Sequence, residues 1–159
     1  MEVYYNNKLL NNNEFLKPSE TQVKPQIKYS FENNKLYTLL MHDIDAIHGN
    51  RFHWIVVNIF DNIKNGQELL SYVGPAPPPK TGAHHYIFEL YEQDGSIDMK
   101  LEERNIPMDV IKQKLNIGEP ISVIQFISKN QSGGKRKKRT ERNRTSKKKT
   151  KKTKRYKRY

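Results

Sequence analysis

The sequence predicts a mainly β body, two packed antiparallel sheets with one late α-helix, followed by a disordered basic C-terminal tail. Three observations carry that reading: a succession of short apolar runs bounded by Asn, Gly, Pro or Asp, one stretch with helical spacing, and an abrupt change of composition after Gly134. The first 25 residues are Asn-rich, and Pro18 and Pro25 interrupt their apolar pieces, so short edge strands and turns are expected there. Strands are then expected over Gln26–Phe31, Leu36–Asp43, His53–Phe60, His85–Glu92 and Ile121–Ser128. The third of these is apolar on both faces, as befits a strand buried between layers. Helical spacing occurs at Met108, Ile111 and Leu115, giving a helix over Ile106–Leu115 with Pro107 in its first turn and Gly118 as its stop.

Charge divides the chain more sharply than hydrophobicity does. The formal charge of +12 comes from 29 Lys and Arg against 17 Asp and Glu, but 16 of the bases and a single acid, Glu141, fall within residues 135–159. That segment carries +15, and the remaining 13 bases and 16 acids leave residues 1–134 at −3. That division argues against a uniformly basic nucleic-acid-binding domain. The expected organisation is a β-sandwich domain over 1–130, a flexible Ser/Gly joint over 131–134 and a Lys/Arg-rich tail over 135–159, too poor in apolar residues to order alone. A body of about 130 residues is one domain's worth of core. The absence of cysteine excludes a disulfide scaffold, a thiol nucleophile and Cys-ligated zinc. With no basic, then apolar leader and no apolar run of about 20 residues, the chain is read as soluble and not secreted by the usual route.

Polar residues gather at three strand ends. Asp43-Ile44-Asp45 closes one strand, and parity puts Asp43 on the face of Leu39 and Met41, at the rim of the core. An Asp pair in a turn is the ordinary reading, and a lone His53 opening the most apolar strand is ordinarily structural. The stretch Tyr72 to Tyr86 holds four prolines within Pro75–Pro79, a stiff loop between Gly74 and Gly82. It leads into a strand where His84, Tyr86, Phe88 and Leu90 share one parity and His85 faces away. Phenol, imidazole and preset loop amides are donors suited to phosphate oxygens, while carboxylates orient imidazoles or accept from an ammonium group. A phosphorylated, partly cationic head group fits that set. The prolines also spell a weak SH3-type ligand, and Asp43, Asp45, His53 and His84 are of types that suit zinc or manganese, without the ligand spacing that would favour a metal. No nucleophile elbow, Walker loop or His-Glu-x-x-His is present.

Taken in order, these pieces resemble the phosphatidylethanolamine-binding protein family, which includes the Raf kinase inhibitor proteins. Asp43-Ile-Asp45-Ala-Ile resembles its Asp-Pro-Asp-Ala-Pro motif, His53-Trp-Ile-Val-Val-Asn58-Ile its His-Trp-x-Val-x-Asn-Ile strand, and Tyr72 to Glu92 its Tyr-x-Gly-Pro-x-Pro-Pro…Gly-x-His-Arg-Tyr-Val-Phe segment. The resemblance spans nearly the whole body and none of the tail. It implies a β-sandwich with a small anion pocket lined by Asp43, Asp45, His53, His84 and Tyr86, with backbone at Gly74 and Ala76 offering amides. It implies no catalytic residue, metal or cofactor, and a binding protein that modulates kinase signalling or inhibits proteases. Departures are Ile44 and Ile47 for two prolines, His85 for the usual Arg, and Ala76 where some members have Gly. The short connection Ala46 to Phe52 is similar to the compact bacterial branch.

The tail is a second functional element. It suits nucleic acid, anionic membrane or, through Lys135-Arg-Lys-Lys-Arg139, nuclear import. The alternative function is accordingly a nucleic-acid-associated or virion structural protein acting through the tail, and a metal-dependent hydrolase is a remote third. The Asn-, Ile- and Lys-rich composition fits an AT-rich genome such as that of a large DNA virus, with cytoplasmic or virion-associated localisation.

Overall fold

The computed structural model describes residues 1–130; the joint, the tail and every reading that rests on them lie outside the described residues. The strands are β1 (Glu2–Tyr5), β2 (Lys8–Leu9), β3 (Glu14–Phe15), β4 (Gln26–Lys28), β5 (Leu36–Asp43), β6 (Arg51–Ile59), β7 (Gln67–Leu70), β8 (Ala83–Gln93) and β9 (Ser122–Lys129), with one helix, α1 (Met108–Leu115). They form a small sheet in the order β2-β1-β4 and a large one in the order β3-β9-β8-β5-β6-β7.

Burial explains the layering. Alternation in β1 turns Val3 and Tyr5 inward, where they join Tyr37, Leu39, Met41, Trp54, Val56, Phe88, Leu90 and Phe126 in a core between the two sheets. The opposite face of the large sheet presents Leu40, Phe52, Ile55, Val57 and Tyr91, covered by Ile106, Ile111, Leu115 and Ile117. Strand β6 is thus buried on both sides from Phe52 to Val57, which is why its sequence lacks alternation.

The mainly β fold with one late helix matches the sequence expectation, with four differences. Strand β4 stops at Lys28, because Tyr29 and Phe31 turn edge-on to Tyr37, with ring centroids 6.0 and 5.1 Å away, and leave the ladder. Strand β7 has only Leu69 and Leu70 as apolar signal and escapes a sequence reading. Strand β3 meets β9 in parallel over two residue pairs, an exception to antiparallel pairing. The helix is stopped by Asn116, left-handed at φ 48°, whose N–H donates back to Gln113, so Gly118 is not its terminator. Asn6, Asn7 and Asn13 are also left-handed, a conformation that Asn tolerates better than most residues, so the Asn-richness of the N-terminal segment belongs to its turns.

Strand β6 is irregular at two points. A register shift against β5 between Met41 and His42 puts an extra residue, His53, between Phe52 on the helix side and Trp54 on the sandwich side. Near its end Asn58 is left-handed at φ 56°; its Oδ1 accepts from Gln93 Nε2 (2.6 Å) and the Ile97 N–H (2.8 Å), fastening the segment after β8.

Candidate functional site

At one end of the large sheet Arg51, Asp43, Tyr86 and Phe126 lie side by side across β6, β5, β8 and β9. Beside them opens a cavity of about 310 Å³, walled by Asp43, Arg51, His53, His84 and Tyr86 from the strands and by Val73, Gly74, Ala76 and Pro78 from the proline loop. Six of the seven residues singled out in the sequence therefore line one cavity. The seventh, Asp45, does not: its N–H caps Asp43 Oδ1 (2.9 Å), and its half-exposed carboxylate turns outward to the His85 N–H (2.8 Å) and ring Nδ1 (2.7 Å). Burial opposes ionisation of Asp45, but the ring and backbone hydrogen bonds from His85 outweigh it and hold the carboxyl below the usual range. His85, in the place of the family's Arg, thus holds this carboxylate from outside the cavity.

Asp43 is the hub. Only 3% exposed, it accepts from His84 Nδ1 at 2.7 Å, and the other ring nitrogen of His84 lies 2.7 Å from the Thr81 hydroxyl. The Thr81 hydroxyl also lies 2.8 Å from the Pro78 carbonyl, which ties the ring to the turn after the prolines. The His84 ring is fixed at both ends. Burial, with the charge and hydrogen bonding of Asp43, pushes the Tyr86 phenol far above its ordinary value, so it remains a donor at physiological pH.

His53 differs from His84 in having an unanswered nitrogen. Its Nδ1–H donates to the Val73 carbonyl at 2.8 Å, and its Nε2 is buried without a partner among the described residues. Burial is the main reason its ring stays below the ordinary histidine value, outweighing the Val73 hydrogen bond and the Asp43 charge. A ring that titrates near 6.5 unfolded and lower when folded contributes stability in full above about pH 6.5, and loses it as pH falls through the window beneath. Urea unfolding across that window will show wild type losing stability faster than His53→Gln; parallel curves would mean that His53 is not the group responsible.

The loop is set by its tethers. The Val73 N–H donates to the His53 carbonyl (2.9 Å), Gln22 Nε2 to Pro75 (2.9 Å) and Asn130 Nδ2 to Pro77 (2.9 Å). Between residues 74 and 79 only Gly74 and Ala76 carry a backbone N–H, since the others are proline. Sequence reasoning missed Arg51, whose guanidinium donates to Asn105 Oδ1 (3.2 Å) and supplies a cation beside Asp43, and it missed Thr81. Arg51 stands outside any motif, whereas Thr81, three residues before His84 in a proline-initiated turn, was a signal within reach.

A larger hollow of about 520 Å³ lies elsewhere, against Lys24, Trp54 and Glu68. There Lys24 and Trp54 Nε1 both meet Glu68 Oε1. Among the described residues no three acidic or histidine side chains are grouped as a metal ion would need, and no helix is long and apolar enough to cross a membrane.

Comparison with known proteins agrees with this geometry. The family model described as phosphatidylethanolamine-binding protein matches residues 3–136. Protein MOTHER of FT and TFL1 homolog 2 of Oryza sativa subsp. japonica is 30% identical over 150 residues, 86% of this chain and 85% of that protein. Among solved structures, carboxypeptidase Y inhibitor complexed with its cognate proteinase superposes with a TM-score of 0.70 at 21% identity, over 81% of this chain and 82% of that one. The phosphatidylethanolamine-binding protein from Plasmodium vivax follows at 0.62 and 18%, over 80% and 84%. Sequence match, fold and the ordered motifs around the cavity agree: this chain belongs to the phosphatidylethanolamine-binding protein family.

Proposed function

We propose that the cavity binds a small phosphorylated group, the head group of a phosphatidylethanolamine-like lipid or the phosphorylated side chain of a partner protein, and that the chain acts by binding and not by turnover. The observation that carries this reading is the buried, unpartnered His53 Nε2 in a cavity that also holds the Tyr86 phenol, Arg51 and the two amide-bearing residues of the proline loop. A hydrogen bond from that nitrogen, with the ring charged, to a ligand oxygen contributes about 1.5–3 kcal/mol. A phosphate beside it favours the charged ring that burial alone disfavours, so binding draws a proton onto His53 and tightens as pH falls toward 6. The Asp43 carboxylate, already engaged by His84, stabilises that charge and need not repel the anion.

The proteinase complex of the carboxypeptidase Y inhibitor, which has the same fold, supports a protein-binding role here too, toward a protease. Titration calorimetry with phosphoethanolamine will give binding whose heat varies with the ionisation enthalpy of the buffer. His53→Ala and Tyr86→Phe will each weaken it about tenfold or more, the worth of a hydrogen bond to a charged group. No heat with any phosphorylated small molecule at millimolar concentration would refute the reading.

A further inference from the structure

We propose that the mouth of this cavity docks on an anionic phospholipid bilayer, its apolar rim entering the interface while the basic segment 135–159 lies against the same surface. This rests on reading the cavity as a phosphate site and adds to it an orientation and a second point of attachment. The rim is the first observation. Ile47 is 67% exposed and Val73 40%, both line the cavity, and the exposed Ala76 and Pro78 lie with them at the opening, whose polar part is His48 and Asn105. One exposed apolar side chain is ordinary, but four around a cavity whose floor is Asp43, His53 and His84 reproduce a lipid's own order, polar within and apolar around.

The second observation is where the described chain ends. Asn130 donates to the carbonyl of Pro77, between the rim residues Ala76 and Pro78. Four residues separate Asn130 from Lys135, and the five steps between them, fully extended, span at most roughly 18 Å. Chain length alone therefore limits Lys135 to within roughly 18 Å of Asn130.

Charge supplies the third. A −3 body gains nothing from an anionic surface, and the +15 segment that follows Asn130 in the chain reverses the sign. Each basic residue held near an anionic bilayer raises partition roughly fivefold, and that attraction fades beyond about 8 Å at physiological salt, so the point of attachment matters. Nucleic acid would use the charge but give the apolar rim no partner.

The test is sedimentation of the full chain with vesicles of phosphatidylcholine alone or mixed with phosphatidylserine and phosphatidylethanolamine. Binding is expected on the mixed vesicles and not on phosphatidylcholine, weakening as salt rises. Ile47→Asp with Val73→Asp will lower partition at least about tenfold, Ile47→Ser with Val73→Ser less so, both at exposed positions where folding is undisturbed. Changing Lys135, Arg136, Lys137, Lys138 and Arg139 to Gln will lower it at least about a hundredfold. Partition insensitive to the rim substitutions overturns the proposal, as does transfer of the chain from vesicles to duplex DNA offered at equal phosphate concentration. Soluble phosphoethanolamine keeps the two readings apart: no binding of it, with both sets of substitutions still releasing the chain from vesicles, sinks the phosphate site and leaves the docking face.

Discussion

Asp43→Ala will cost about 3–5 kcal/mol of stability, the expected result of removing one partner from a buried ionic hydrogen-bond set. The carboxylate is 3% exposed and engages His84 Nδ1 and the Asp45 N–H, with the Tyr86 phenol beside it in the cavity wall. Alanine leaves all three facing a small void at the end of β5. Urea unfolding of Asp43→Ala, His84→Ala and the double variant measures the coupling directly. The double variant should be less destabilised than the sum of the singles by about 1–3 kcal/mol, because the second removal has no partner left to orphan. Phosphoethanolamine binding should vanish in all three. A loss below about 1 kcal/mol for Asp43→Ala would mean that water replaces the carboxylate and that the hub assignment is wrong.

Gly74→Ala will displace the proline loop. The glycine's φ is not in the left-handed region, so the objection is steric: a Cβ would sit 2.8 Å from the Thr21 carbonyl oxygen, 2.9 Å from Gln22 Cα and 3.0 Å from Gln22 Cδ. The first two are backbone atoms and cannot swing aside. Relief has to come from moving the loop, whose tether to the His53 carbonyl lies one residue away. The expected cost is about 1–3 kcal/mol in stability, with phosphoethanolamine affinity down at least about tenfold. Gly118→Ala is the control, since nothing lies within 4 Å of its Cβ and its φ is not left-handed. Its melting temperature should hold or rise slightly. Equal behaviour of the two variants would show that the loop is not held to its position.

Much of the site was legible because strands impose parity. The period-two rule on β8 separated His84, buried and joined to Asp43, from His85, which faces out. The same rule carried Asp43 to the core side of β5. Parity stops where a strand stops. Asp45 lies two residues past β5 in a turn where its own N–H folds back on Asp43, so its side chain follows the turn and meets His85. It also fails at a bulge: without the extra residue in β6, Phe52 and Trp54 would share a face and His53 would point with the helix side, away from Tyr86. The observed ring contact of 5.2 Å between His53 and Tyr86 exists because of that slip. A bulge leaves no signature in a run of apolar residues. Arg51 was hidden for another reason: a charged residue at a strand start looks like any solvated end until the register places it opposite Asp43.

The sheet order sets a condition on when the pocket comes into being. His84 and Tyr86 sit on β8, which is flanked by β5 on one side and by the last strand, β9, on the other. Tyr86 stacks on Phe126 at 5.2 Å, and the proline loop is pinned by Asn130 at the end of that same strand. Pairings so distant in sequence form late, after the loops between them have closed. A chain emerging from the ribosome can thus assemble the β5–β6 pair early, yet its ligand site waits for the final turn of synthesis of the body. The cavity is therefore a property of the finished body, and a partly made chain does not yet contain it.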